Sequence, residues 1–100
     1  MAGQILTEVS GVVDPGRVAE LVDGFREIAA AALPDGLLRS ELLQGDHGQW
    51  RIQTLWRDQA ALDAMRAGAE PPAAPALLRS VGAEPVLRIL EVVGSFVTAH

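Results

Sequence analysis

The sequence contains no cysteine, no lysine and no tyrosine, and only two of its hundred residues are histidines. Without cysteine, a disulfide, a thiolate metal site and a cysteine nucleophile are all excluded. Without lysine, no Schiff base can form, and arginine supplies all eight positive charges. The thirteen acidic residues are scattered and do not cluster at ligand spacing, so we expect no metal site.

Charge and hydropathy exclude further partners. The formal net charge is −5 and the isoelectric point is about 4.8, whereas binding to nucleic-acid phosphates requires a basic surface. No apolar run approaches the roughly 20 residues of a membrane-spanning helix. The first residues lack the basic segment of a signal peptide. We therefore expect a cytoplasmic protein with no nucleic-acid or membrane partner.

The order of the predicted elements indicates the fold. A strand pattern over residues 4–13 precedes a helical pattern over 15–33. A hairpin over 37–56, a proline-interrupted helical region over 58–81 and a strand over 85–97 follow. This β-α-β-β-α-β order predicts an α+β, ferredoxin-like domain spanning residues 1–100, with a four-stranded antiparallel sheet and its helices on one face.

Local signals set the element ends. Asp14 and Asp58 precede the two helical patterns and are typical N-caps. We expect a short helix over 75–81 that Gly82 ends. In the hairpin, we place Gln44 opposite Gln49, which puts Glu41 opposite Ile52 and Arg39 opposite Thr54 on one face. The same face carries the pairs Leu43–Trp50 and Leu37–Trp56. The other face carries Leu42–Arg51, Ser40–Gln53 and Leu38–Leu55.

The sheet face without helices has to be buried by something else. The simplest solution is a second copy of the chain, so we expect a homodimer formed through this face.

One segment resembles a known family. The run Trp56-Arg57-Asp58-Gln59-Ala60-Ala61-Leu62-Asp63-Ala64-Met65-Arg66 is similar to the junction between strand three and helix two of antibiotic biosynthesis monooxygenase domains. The segments Glu70-Pro71-Pro72-Ala73 and Leu78-Arg79-Ser80-Val81-Gly82-Ala83-Glu84-Pro85 resemble one branch of that superfamily. With the element order, the resemblance covers roughly residues 4–97.

The resemblance implies a dimeric α/β barrel in which each protomer keeps a pocket between its own sheet and helices. Well-studied relatives oxidise anthrone-like or quinol substrates with dioxygen and no cofactor, and others degrade haem. The resemblance to the first group implies that this chain needs no cofactor. Trp56 keeps a family position. Three other positions depart from the family pattern: Ile52 replaces an asparagine, Leu62 an aromatic residue and Arg66 the histidine of haem-degrading members.

Candidate site residues follow from this resemblance and from charges in the middle of the strands. The catalytic candidates are Trp56, Arg39 and Glu41, and the substrate-binding candidates are Trp50, Thr54, Arg51, Arg88 and Met65. Trp56 would stack on a flat ring, and the arginines would hold a phenolate or carboxylate. Each has a structural alternative, since a tryptophan at a strand end is often core and mid-strand charges often pair across a dimer contact. His47 is expected to be an exposed turn residue and His100 a disordered terminal one.

Three functions remain open. The first is a cofactor-independent monooxygenase for an aromatic polyketide or quinol, in which the deprotonated substrate reduces dioxygen itself. The second is a non-catalytic dimer that binds a hydrophobic or aromatic small molecule. The third is an isomerase or cyclase, which needs a shaped pocket and one acid or base such as Glu8 or Glu41.

Overall fold

The computed structural model describes residues 3–98, so the predicted disorder of His100 falls outside the described residues. The strands are β1 (Ile5–Val12), β2 (Leu37–Gln44), β3 (Gln49–Trp56) and β4 (Val86–Glu91). The helices are α1 (Val18–Ala30), which follows a single 3-10 turn at Pro15–Arg17, α2 (Gln59–Arg66) and α3 (Ala73–Ser80). None of these helices is long and apolar enough to cross a membrane.

The four strands form one antiparallel sheet in the order β2-β3-β1-β4, and the helices pack on one of its faces. The ferredoxin-like prediction is therefore confirmed. The predicted caps are present as well. Asp14 Oδ1 accepts a hydrogen bond of 2.8 Å from the N–H of Gly16, and Asp58 Oδ1 accepts one of 2.8 Å from that of Ala61.

Proline sets two helix ends differently from the prediction. α1 ends at Ala30 and not near residue 33, because Pro34 has no N–H to donate to the carbonyl of Ala30. α3 begins at Ala73 and not at Pro75, since a proline in the first turn of a helix loses no hydrogen bond.

The predicted hairpin register is wrong by one residue over most of its length. Gln44 lies opposite Trp50, and the tip of the hairpin is a turn in which His47 and Gly48 both have positive φ. A bulge at Leu38 restores the predicted pairing of Leu37 with Trp56. The slip moves Arg39 and Glu41 to the sheet face without helices, opposite Leu55 and Gln53.

The core lies between the sheet and the helices. One cluster joins β1 and β3 to α1 and α3 around Leu21, Leu78 and Ile52. A second, smaller cluster joins Trp56 to Leu62 of α2. The first cluster holds α1 and α3 over the sheet and the second holds α2, and the space between the helices and the strands is not completely filled.

β4 ends at Glu91, six residues before the predicted end at residue 97. The N–H of Val92 still donates to the carbonyl of Gln4 at 2.9 Å, but no strand pairs with residues 93–98 within the described chain. Phe96 and Val97 are consequently almost fully exposed.

Candidate functional site

A cavity of about 490 Å³ lies between the sheet and the helices. This volume is typical of small-molecule sites, which are mostly apolar with a few polar groups. The strands supply its floor, α1 supplies one wall, and α2, α3 and the loop between them supply the others. Its apolar lining includes Val9, Phe25, Ile28, Leu33, Leu37, Leu38, Ile52, Trp56, Leu62, Met65, Leu87 and Ile89.

Three hydroxyl side chains cross the cavity floor in a single row. The register places Ser40 opposite Thr54 and Thr54 opposite Thr7, so the hydroxyl row (Ser40, Thr54 and Thr7) spans β2, β3 and β1. Apolar residues occupy the rows on either side. The row is the polar part of an otherwise apolar floor.

The hydrogen bonds of the row leave one hydrogen available. Thr7 Oγ1 accepts from Trp56 Nε1 at 3.1 Å and donates to the carbonyl of Thr54 at 3.4 Å, which commits its only hydrogen. Ser40 Oγ and Thr54 Oγ1 lie 3.0 Å apart and share one hydrogen bond. Because each hydroxyl carries one hydrogen and this bond uses only one of the two, the other can be donated to a ligand.

Trp56 is a core residue and a cavity residue at once. Its side chain is 3% exposed and packs against Leu62, and it also contributes to the cavity wall. Its N–H is occupied by Thr7, so it offers a ligand an apolar ring surface and no free donor.

The charges around the cavity are all positive. Arg66 and Arg79 contribute to the lining, Arg39 borders it from the edge strand β2, and none of the acidic side chains of residues 3–98 lines it. The guanidinium of Arg39 is paired with Glu41, with 3.4 Å between Nε and Oε1. Arg66 and Arg79 form no ion pair with any side chain of residues 3–98.

Comparison with known proteins identifies the family. The family model of the antibiotic biosynthesis monooxygenases matches residues 6–74. The chain belongs to the antibiotic biosynthesis monooxygenase family. A comparison with curated protein sequences finds no significant match.

Solved structures with names from this family share the fold. SnoaB from Streptomyces nogalater, a cofactor-independent oxygenase, superimposes with a TM-score of 0.74 at 20% identity, over 94% of this chain and 97% of that chain. A Caulobacter crescentus protein with a provisional assignment as an antibiotic biosynthesis monooxygenase gives a TM-score of 0.73 at 24% identity, over 93% and 92% of the two chains. At these identities the likeness shows the fold alone.

The structure brings four of the eight predicted site residues of this family member to the cavity. Trp56, Thr54 and Met65 line it, and Arg39 borders it near the bulge in β2. The other four do not contribute to its walls: Trp50 lies in the main core cluster, and Glu41, Arg51 and Arg88 lie on the opposite face of the sheet.

On that opposite face Glu8 is paired with two side chains of β3. Glu8 is only 7% exposed, and it accepts hydrogen bonds from Arg51 Nη1 at 3.3 Å and from Gln53 Nε2 at 3.1 Å. These groups therefore pair within the sheet of one chain, and the pairing of mid-strand charges across a dimer contact stays a prediction.

The other titratable groups of residues 3–98 form no second site. The pKa of Glu20 is lowered, and that of Arg17 raised, because Arg17 Nη2 donates to Glu20 Oε2 at 3.0 Å on the exposed surface of α1. No three histidine, aspartate or glutamate side chains within residues 3–98 come together as metal ligands.

Three of the cavity residues were not identified from the sequence. Ser40 was assigned to the wrong face by the register error, and Thr7 was treated only as part of a strand pattern. For the strands, the available signal was a threonine in the middle of an alternating apolar pattern. Thr7 lies between Ile5 and Val9, and Thr54 lies between Ile52 and Trp56. Arg79 carried no such signal, because only the packing of α3 brings it to the cavity.

Proposed function

We propose that this protein oxygenates a flat aromatic molecule of the anthrone or hydroquinone type with dioxygen and without a cofactor. The observation that carries the proposal is the combination, in one cavity, of an apolar lining, the ring of Trp56 and a hydroxyl row with one hydrogen to donate. Family membership and the fold shared with SnoaB, a cofactor-independent oxygenase, support it.

The reaction balances without an added reductant. An anthrone first loses a proton from its methylene group to water and becomes an enolate. The enolate transfers an electron to dioxygen, and the resulting pair combines to form a C–O bond at the former methylene carbon. Protonation of the outer oxygen and loss of water break the O–O bond and leave a carbonyl. One oxygen atom ends in the quinone and the other in water, and the substrate has supplied the electrons.

In this proposal the protein supplies position and charge stabilisation. The free hydrogen of the Ser40–Thr54 pair is donated to the enolate oxygen, where negative charge develops. The ring packs against Trp56 and Met65 between the apolar walls of the cavity. Trp50, Glu41, Arg51 and Arg88 have no part in this cavity, and the guanidinium of Arg39 remains paired with Glu41.

The absence of a base in the cavity favours a non-catalytic binding role as the alternative. No histidine, aspartate or glutamate of residues 3–98 lines the cavity. The substrate therefore has to ionise without a protein carboxylate or imidazole. For an isomerase or cyclase the difficulty is greater, because both acids considered for it, Glu8 and Glu41, lie on the opposite face of the sheet.

The proposal is tested by dioxygen consumption and product mass with a panel of anthrones and hydroquinones, in the absence of metal and flavin. We expect a product that has gained one oxygen atom and lost two hydrogens, formed faster than by spontaneous oxidation. The double variant Ser40→Ala/Thr54→Val should lower kcat by roughly 10- to 100-fold, at or below the usual loss for an oxyanion donor.

The single variants sharpen this test. Each should be less impaired than the double variant, because the remaining hydroxyl keeps a hydrogen to donate. Ser10→Ala is the matched control, since Ser10 lies on the opposite face of the sheet. Oxygenation that is equally fast in the double variant would remove the hydroxyl row from the mechanism, and no oxygenation by the wild type would leave the binding role.

We also propose that the protein forms a homodimer through the sheet face without helices. That face exposes apolar side chains on three strands, among them Val12, Leu43, Val86 and Leu90. Several large apolar side chains exposed on one sheet face favour an interaction site there. Light scattering should give twice the chain mass of 10.6 kDa, and Leu90→Arg should give the monomer mass. A monomeric wild type at all concentrations would contradict the proposal.

A further inference from the structure

The cavity is lined by positively charged residues, whereas the chain as a whole has a negative net charge. The protein is acidic, with thirteen acidic residues and eight arginines. Arg66 and Arg79 line the cavity, and Arg39 only borders it at the edge strand β2, with its guanidinium paired to Glu41. No acidic side chain of residues 3–98 lines it. A distribution of this kind raises the local concentration of anions in a cleft with low-dielectric walls.

Two of the three arginines are available to a ligand. Arg66 and Arg79 have no ion-pair partner within residues 3–98, whereas Arg39 is paired with Glu41. Arg66 lies in the last turn of α2 and Arg79 in the last turn of α3. Both residues are exposed, so they lie where the cavity opens to solvent, away from the hydroxyl row on its floor.

We infer that the ligand is an organic anion, and that it carries a carboxylate on the part of the molecule that lies at the mouth of the cavity. Arg66 and Arg79 bind this carboxylate, because a guanidinium presents donors that match the two carboxylate oxygens. The aromatic part of the same molecule fills the apolar cavity and reaches the Ser40–Thr54 pair with its own oxygen. This inference rests on the proposed function, since it adds the substrate class to that same site.

The arginines also have a structural role that the test has to separate. A cation in the last turn of a helix is favourable to the helix dipole, so both residues contribute to their helices without any ligand. That role affects stability, but it does not distinguish a charged ligand from a neutral one of the same shape. The informative quantity is therefore the ratio of two dissociation constants.

The experiment compares anthraquinone-2-carboxylate with anthraquinone-2-carboxamide, by calorimetric titration of the full chain. We expect the carboxylate to bind more tightly, with an advantage of roughly two- to fivefold for each arginine at an exposed site. Added salt should reduce this advantage, because it screens exposed charges. Arg66→Gln and Arg79→Gln should each reduce the advantage, and the double variant should abolish it.

Two further variants keep the test decisive. Arg79→Lys retains the charge and should keep part of the advantage. Arg26→Gln makes the same change in net charge on the exposed side of α1, outside the cavity, and should leave the ratio unchanged. Equal affinity of the wild type for the two ligands would overturn the inference, as would an unchanged ratio in the Arg66→Gln/Arg79→Gln variant.

Failure of the inference and failure of the proposed function are distinguishable. Oxygenation of a neutral anthrone together with equal binding of the two probes would overturn the inference alone. If neither probe binds and no anthrone is oxygenated, both fail. A carboxylate preference without oxygenation would support the inference for a protein whose role is binding.

Discussion

The two tryptophans provide a matched pair for testing where a ligand binds. Both are buried on the helix side of β3, Trp50 at 7% and Trp56 at 3% exposure, but only Trp56 lines the cavity. Trp50→Phe leaves Trp56 as the only indole, and Trp56→Phe leaves Trp50. An aromatic ligand in the cavity should quench the fluorescence of the Trp50→Phe variant strongly and that of the Trp56→Phe variant weakly.

The hydrogen bond of Trp56 sets the difference in stability between the two variants. Each replacement removes part of a buried ring and should cost about 1–2 kcal/mol, below the loss for truncation of Trp to alanine. Trp56→Phe also removes the 3.1 Å hydrogen bond to Thr7, a further 0.5–1.5 kcal/mol or so. Trp50 makes no side-chain hydrogen bond within residues 3–98, so its replacement lacks this second cost.

Urea denaturation at one fixed protein concentration measures this difference. With a slope of about 1–3 kcal/mol per molar urea, a difference of about 1 kcal/mol separates the two midpoints by roughly 0.3–1 M. Trp56→Phe should have the lower midpoint. The reasoning is refuted by quenching that persists in Trp56→Phe and disappears in Trp50→Phe, since that result would place the ligand in another part of the molecule.

The remaining predictions concern stability and are checked by the same denaturation experiment. Gly36→Ala should cost about 2–4 kcal/mol, because Gly36 has a φ of +84° and an added Cβ would clash with that of Ala61. Gly45→Ala is its matched control and should change stability by less than about 0.5 kcal/mol, since its nearest neighbours lie at ordinary contact distance; an equal loss in both would contradict the steric reasoning. Glu8→Ala should cost about 1–2 kcal/mol, because it leaves two donors on β3 without their acceptor; an unchanged midpoint would show that water replaces the carboxylate.

The element order could be predicted because hydrophobic periodicity and caps are local signals. The hairpin register could not, because β2 contains leucines at 37, 38, 42 and 43 and so offers apolar side chains to both faces. A shift of one residue leaves that pattern almost unchanged. The bulge at Leu38 and the turn at His47 and Gly48 decide the register, and neither has a unique sequence signature.

The end of the last strand was predicted wrongly for a different reason. Residues 92–97 continue the apolar pattern of β4, but a strand needs a neighbour that accepts its hydrogen bonds. In the β1–β4 register Glu91 lies opposite Ile5, the first residue of β1, so the following residues extend past the start of β1. The sequence therefore shows that the segment can form a strand and not what it would pair with.

The candidate site was predictable only in part. Trp56 was found through its place in a family pattern, and Thr54 and Met65 lie close to it on the strand and the following helix. Ser40, Thr7 and Arg79 come from three further elements, and their approach to one cavity depends on register and helix packing. A single sequence gives neither the strand register nor the helix packing, so these residues could be found only in the structure.

The most direct test of oxygenation in this cavity is a single-turnover experiment. The protein is first loaded with an anthrone without dioxygen, with binding followed by quenching of Trp56 in the Trp50→Phe variant, and dioxygen is then admitted. The proposed mechanism predicts formation of the quinone from the bound anthrone faster than from free anthrone in the same buffer. Bound anthrone that oxidises no faster than free anthrone would contradict it and would make this cavity a binding site alone.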